Sequence, residues 1–158
     1  MRQSSAKNFP CGRLNNLVSL ATQKLGETLN ASHVYFFIYY GLASENKKMS
    51  CVEWIEKGYE PIPDTVLSLL LDLQKDKPVE TTATLLDITE LPLLNKGKAI
   101  VIPFLYESQK FAEVFILQQE NNEKVWDSDF CNLVDELSDF IRLGLQGIIY
   151  SDGEEKSK

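Results

Sequence analysis

The chain has 158 residues and a mass of 18.0 kDa, enough for one domain around one buried core. Its residues are 44% apolar and 25% charged, a globular rather than a disordered composition. A net charge of −7 argues against non-specific nucleic-acid binding, and no apolar run approaches the roughly 20 residues of a membrane span.

Met1–Pro10 is polar and lacks the apolar stretch of a signal peptide, so the expected setting is the cytoplasm. Pro10 and Gly12 punctuate the entry to a helix over Leu14–Leu29, where Leu14, Leu17, Val18, Ala21, Leu25 and Leu29 recur at helical spacing. His33–Tyr40 is β-branched and aromatic on both faces, which predicts a central strand covered on both sides. Met49–Glu56 reads as its antiparallel partner, with Cys51 and Trp54 on opposite faces. Asp64 can cap a helix over Thr65–Leu73. Part of Val79–Asp87 reads as a short strand, and Thr89–Leu94 as a turn. Ala99–Tyr106 and Phe111–Gln119 form a second hairpin, with Pro103 placing a break or an edge in its first strand. Asn121–Lys124 is a polar turn.

The last helix is expected over Ser128–Ile149, capped by Asp127 or Ser128. Phe130, Leu133, Val134, Leu137, Ile141, Leu145 and Ile148 line its apolar stripe, which Phe140, Leu143 and Ile149 widen. The order predicts an α+β fold: a central antiparallel sheet with the N- and C-terminal helices packed on one face. Residues 10–150 read as one domain, with flexible tails at 1–9 and 151–158.

Three cysteines, at 11, 51 and 131, stand far apart. Their odd number and the absence of a CxxC pair argue against a disulfide framework and a local metal site. His33 is the one histidine, which argues against His-based metal sites and Ser-His-Asp triads; it reads as a surface or strand-end residue.

An ordered set of short motifs resembles the GAF domain family over about residues 14–148, and the likeness is strongest to sensor proteins of cyanobacterial type. The set comprises Leu86-Asp87-Ile88, the strand Ile102-Pro103-Phe104, Gln118-Gln119 at a hairpin end, and Trp126 before the last helix. Leu145-Gln146 near the end of that helix and Leu29-Asn30-Ala31-Ser32-His33-Val34 at the first helix exit complete it. One departure is Glu113, where relatives often carry glycine.

The resemblance implies a PAS-like sheet with the terminal helices on one face and a small-ligand pocket on the other. Tyr35, Phe37, Cys51, Trp54, Asp87, Ile102, Phe104 and Phe115 are the candidate pocket residues, against the plainer reading that they simply fill the core. No Cys-His dipeptide is present, which argues against a covalent bilin, and the residues name no other cofactor. The asparagine-lysine arrangement of cyclic-nucleotide binders is absent too.

The implied function is a non-catalytic sensory or regulatory domain of a bacterial signalling protein, such as a sensor histidine kinase. It would act as a homodimer, respond to a small ligand or partner protein, and serve an output domain outside this chain. Leu14, Leu17, Val18, Leu25, Leu133, Leu137, Ile141, Leu145 and Ile148 are the candidate pairing residues. Charge agrees with helix pairing: residues 1–29 carry four basic groups against one acid, and residues 127–158 eight acids against three bases. The alternatives are a thiol-redox enzyme of the methionine sulfoxide reductase type, using Cys51 and Cys131, and a ligand-free scaffold that binds only proteins.

Overall fold

The computed structural model describes residues 12–40, 48–75, 82–106, 109–119 and 126–156. Its elements are α1 (Gly12–Leu29), β1 (His33–Tyr40), β2 (Lys48–Ile55), α2 (Asp64–Lys75), β3 (Thr84–Leu86), β4 (Lys98–Tyr106), β5 (Gln109–Gln118) and α3 (Ser128–Lys156). These follow the predicted elements closely, except that α3 continues past Ile149 to Lys156. No proline interrupts that stretch, and a helix already nucleated adds residues at little cost. The expected N-terminal tail, Cys11, most of the Gly41–Lys48 turn and the Asn121–Lys124 turn lie outside the described residues.

The sheet is antiparallel, in the order β2-β1-β5-β4-β3. β1 lies inside the sheet, between β2 and β5, and both of its faces are apolar; Val34, Tyr35, Phe36, Phe37 and Ile38 are all buried. Even-numbered residues of β1 meet α1 and α3. There Val34, Phe36 and Ile38 pack with Val18, Leu25, Val134 and Leu145. Odd-numbered residues meet α2 and the 86–94 segment, where Tyr35 and Phe37 pack with Val66, Leu70, Ile88 and Leu94. The fold is thus α+β, with the terminal helices on one sheet face as expected.

Local chemistry fixes the junctions. Asn30 adopts φ 56°, and the Ala31 amide bonds back to the Gly26 carbonyl at 3.0 Å, which closes the C-terminus of α1. Asp127 caps α3, its Oδ1 accepting the Phe130 amide at 3.0 Å. β3 pairs only with Ala99–Val101, so Pro103 lies on a flank of β4 that β3 does not cover. Arg142 and Gln146 of α3 reach this stretch and donate to the Pro103 and Leu105 carbonyls at 3.4 and 3.3 Å.

Two glycines permit close approaches. A Cβ at Gly26 would lie 2.2 Å from the Trp54 ring, and one at Gly97 would lie 1.9 Å from the Gln118 carbonyl oxygen. The Gly26 neighbour is a side chain, whereas the Gly97 neighbour is a carbonyl of the β4–β5 ladder. Gly97→Ala is therefore expected to lower stability in urea by roughly 1–3 kcal/mol, and more than Gly26→Ala does. An unchanged midpoint for Gly97→Ala would contradict the close approach.

Candidate functional site

The sheet face turned away from α1 and α3 carries a row of rings. Tyr35 and Phe37 stack with centroids 6.4 Å apart, and Phe37 meets Phe115 edge-on at 5.7 Å. Leu70 of α2 and Leu94 close over them, and both are fully buried. This apolar floor ends in polar groups at both ends.

At one end stands Glu113 of β5, a carboxylate only 2% exposed. The Tyr39 hydroxyl donates to its Oε1, and Lys110 Nζ lies 2.9 Å from its Oε2. A bulge makes this arrangement possible. Residues three apart in an unbroken strand point to opposite faces. Here Phe104 pairs with Ala112 and Leu105 with Lys110, so Phe111 is the extra residue and Lys110 returns to the face of Glu113. Burial raises the Tyr39 pKa well above the usual tyrosine range, and the Glu113 charge adds to the shift.

At the other end His33 is fully buried, contrary to its expected surface position. Its Nε2 lies 2.7 Å from the Glu60 carbonyl, which can only accept, so Nε2 carries a proton. Nδ1 lies 2.8 Å from Ser32 Oγ, a hydroxyl that also reaches the Leu117 carbonyl at 3.2 Å. Ser32 Oγ in turn accepts the Gln119 amide at 2.9 Å. Next to this group the Tyr35 hydroxyl accepts the Ile62 amide at 2.9 Å. Together these bonds tie the 56–63 loop to the sheet. Burial lowers the His33 pKa, and the bond to Glu60 opposes that only in part.

The eight candidate pocket residues do not share one surface. Tyr35, Phe37, Cys51 and Phe115 lie on the ring-bearing face. Trp54, Ile102 and Phe104 lie on the helix face, because Ile102 pairs with Val114 and Val114 with Phe36. Ala99 and Val101 take the positions expected of Ile102 and Phe104. Asp87 is exposed, and its Oδ1 accepts both the amide and the hydroxyl of Thr89 in a turn. In the sequence Glu113 stands out only as a departure from glycine, and no signal there marks Lys110 as its partner. Cys51 packs on the ring-bearing face and Cys131 on the helix face, so the sheet separates the two thiols. Burial, with Asp135 and Asp127 nearby, pushes the Cys131 thiol pKa up, away from a reactive thiolate.

The candidate pairing residues divide likewise. Val18, Leu25 and Leu145 are buried against the sheet. The side chains of Leu14 and Ile148 lie outside the described residues. Leu17, Leu137 and Ile141 line an apolar groove of about 290 Å³ between α1 and α3, together with Leu20, Lys24 and Phe140. Leu20, Leu133, Phe140 and Leu143 are exposed by 55%, 46%, 79% and 68%, so the outward surface of the helix pair carries apolar side chains, among exposed Lys24, Glu136 and Asp139.

Three solved structures of similar shape are GAF domains or carry one, at low identity. A GAF domain from Synechocystis, in a photoproduct state, has a TM-score of 0.56 at 13% identity over 88% of this chain and 98% of its own. A GAF domain/HD domain protein from Geobacter sulfurreducens has 0.54 at 12% over 87% and 94%. The GAF domain of a two-component sensor histidine kinase from Bacillus halodurans has 0.55 at 15% over 88% and 97%. The chain has the GAF fold. No family model and no curated protein matches the sequence. In this GAF fold no helix among the described residues is long and apolar enough to cross a membrane.

His33 gives the fold a pH dependence. Its pKa in the folded chain lies below the ordinary 6.5, so the unfolded chain binds more protons in that range. The stabilisation is complete above pH 6.5 and is lost as pH falls toward the folded pKa. The expected slope is at most about 1.4 kcal/mol per pH unit. Urea midpoints between about pH 7.5 and 5.5 check this. His33→Gln should flatten the slope in that window, and an equally steep slope in the variant would contradict the assignment.

Proposed function

We propose that this GAF-fold domain is a regulatory module without catalytic residues of its own. It pairs with a second copy through the outward surface of α1 and α3. A small ligand or partner bound on the ring-bearing face alters that pairing. The setting we infer is a cytoplasmic signalling protein, of the kind to which the GAF domain from Bacillus halodurans belongs.

The observation that carries this reading is the short connection between the two faces. Glu113 stands directly opposite Pro103 in the β4–β5 ladder. The Pro103 carbonyl accepts from Arg142 of α3, whose guanidinium also lies 5.3 Å from the centre of the Phe104 ring. A change at Glu113 therefore reaches α3 through one cross-strand pair. The apolar surface supplies the second support. Leu133, Phe140 and Leu143 stay on the outside of a helix whose inward residues already fill the core. The thiol-redox alternative loses ground, because Cys51 and Cys131 pack on opposite faces of the sheet.

Phe140→Glu tests the pairing. The side chain is 79% exposed, so the substitution leaves the core of the single subunit intact. Sedimentation equilibrium should find a wild-type dimer and a variant weakened about 30-fold or more. A monomeric wild-type protein would contradict the proposal.

A further inference from the structure

We infer that Glu113 and Tyr39 form a binding site for a small primary ammonium group, and that Lys110 occupies it from within the chain. The inference rests on the reading of the ring-bearing face as the ligand-binding side, and it names the ligand chemistry.

A carboxylate taken out of water is costly unless it is paired and hydrogen-bonded. The Glu113 side chain is 3% exposed and has both. Tyr39 satisfies one oxygen by donating its hydroxyl, and the Lys110 ammonium satisfies the other at 2.9 Å. The same ammonium lies 5.9 Å from the centre of the Tyr39 ring, within cation–π reach. The two features select differently. The ring attracts any small cation, whereas a hydrogen bond to the carboxylate oxygen needs an N–H donor. A primary ammonium satisfies both, and a quaternary ammonium meets only the first.

Lys110 is a displaceable occupant. Its side chain is 27% exposed, it sits at a strand bulge, and it is attached by a flexible four-carbon stem. A compact ammonium ion can take its place when the lysine swings into water. Because Lys110 is tethered, it competes at a high local concentration, and the free compound binds well only when the lysine is withdrawn. A ligand that brings its own ammonium would thus replace one charge partner of Glu113 by another, directly opposite the Pro103 carbonyl held by α3.

The test uses Lys110→Met, which keeps the apolar stem and removes the charge, with methylammonium chloride as the probe. Sodium chloride and tetramethylammonium chloride at equal concentration are the controls. In Lys110→Met, methylammonium should raise the thermal midpoint saturably, by about 3 °C beyond either control at tenfold excess over Kd. The doubly substituted chain, Lys110→Met with Glu113→Gln, should show no such excess. An equal response to the three salts, or an excess that persists in the double variant, overturns the inference. Should Lys110→Met not fold in plain buffer, refolding it in methylammonium against sodium replaces the melt. Recovery only in methylammonium supports the site, and equal failure in both overturns it. Mass measured on the same wild-type samples separates this inference from the proposed function. A stable dimer with no methylammonium effect defeats the ammonium site alone.

Discussion

A strand without a polar face can be buried only between two layers, and β1 imposes that requirement on the whole chain. Val34, Phe36 and Ile38 demand cover on one side, Tyr35 and Phe37 on the other. The terminal helices supply the first cover, α2 and the 86–94 segment the second. The two faces then diverge in character. The helix side carries apolar side chains out to its surface, among charged ones, while the other side is apolar in the middle and polar at both ends. Three of the polar groups at those ends, His33, Tyr39 and Glu113, are borne on β1 and its neighbour β5, so the central strands both define the fold and hold its chemistry.

The functional geometry arises where the sheet is irregular. β3 is too short to cover β4 beyond Val101, which leaves the Pro103 and Leu105 carbonyls to α3. The bulge at Phe111 turns two consecutive residues, Phe111 and Ala112, toward the helix core and brings Lys110 round to Glu113. A regular hairpin would have placed Lys110 on the helix face and left Glu113 without its cation. The two irregularities are neighbours across the β4–β5 ladder. A perturbation of the charge pair and a shift of the α3 contact are therefore mechanically adjacent, which gives a regulatory reading a physical route.

Much of this architecture is legible in the sequence. The aromatic run in β1, the helical stripes and the Pro/Gly punctuation place the elements near their observed bounds. The paired faces are harder, because a strand's inward set depends on its register with its neighbours. Tyr35, Phe37, Cys51 and Phe115 share one face, as a single alternating set would. Ile102 and Phe104 do not, since only the ladder from Phe36 through Val114 to Ile102 decides their side. His33 illustrates a second limit. A lone histidine at a strand start gives no hint that a serine hydroxyl and a distant loop carbonyl will surround it. The Glu113 pair illustrates a third, because a bulge changes which residues meet and leaves little trace in composition.

The central claim is that the Glu113 end of the sheet and helix α3 are coupled through the β4–β5 ladder. Hydrogen exchange of the wild type and of Glu113→Gln tests it most directly, because the Glu113 carboxylate bonds to Tyr39 and Lys110 of the sheet and not, among the described residues, to α3. The account predicts faster amide exchange in α3 around Arg142–Gln146, in addition to changes in β1 and β5. Exchange in α3 that stays at the wild-type rate, with changes confined to β1 and β5, would contradict it.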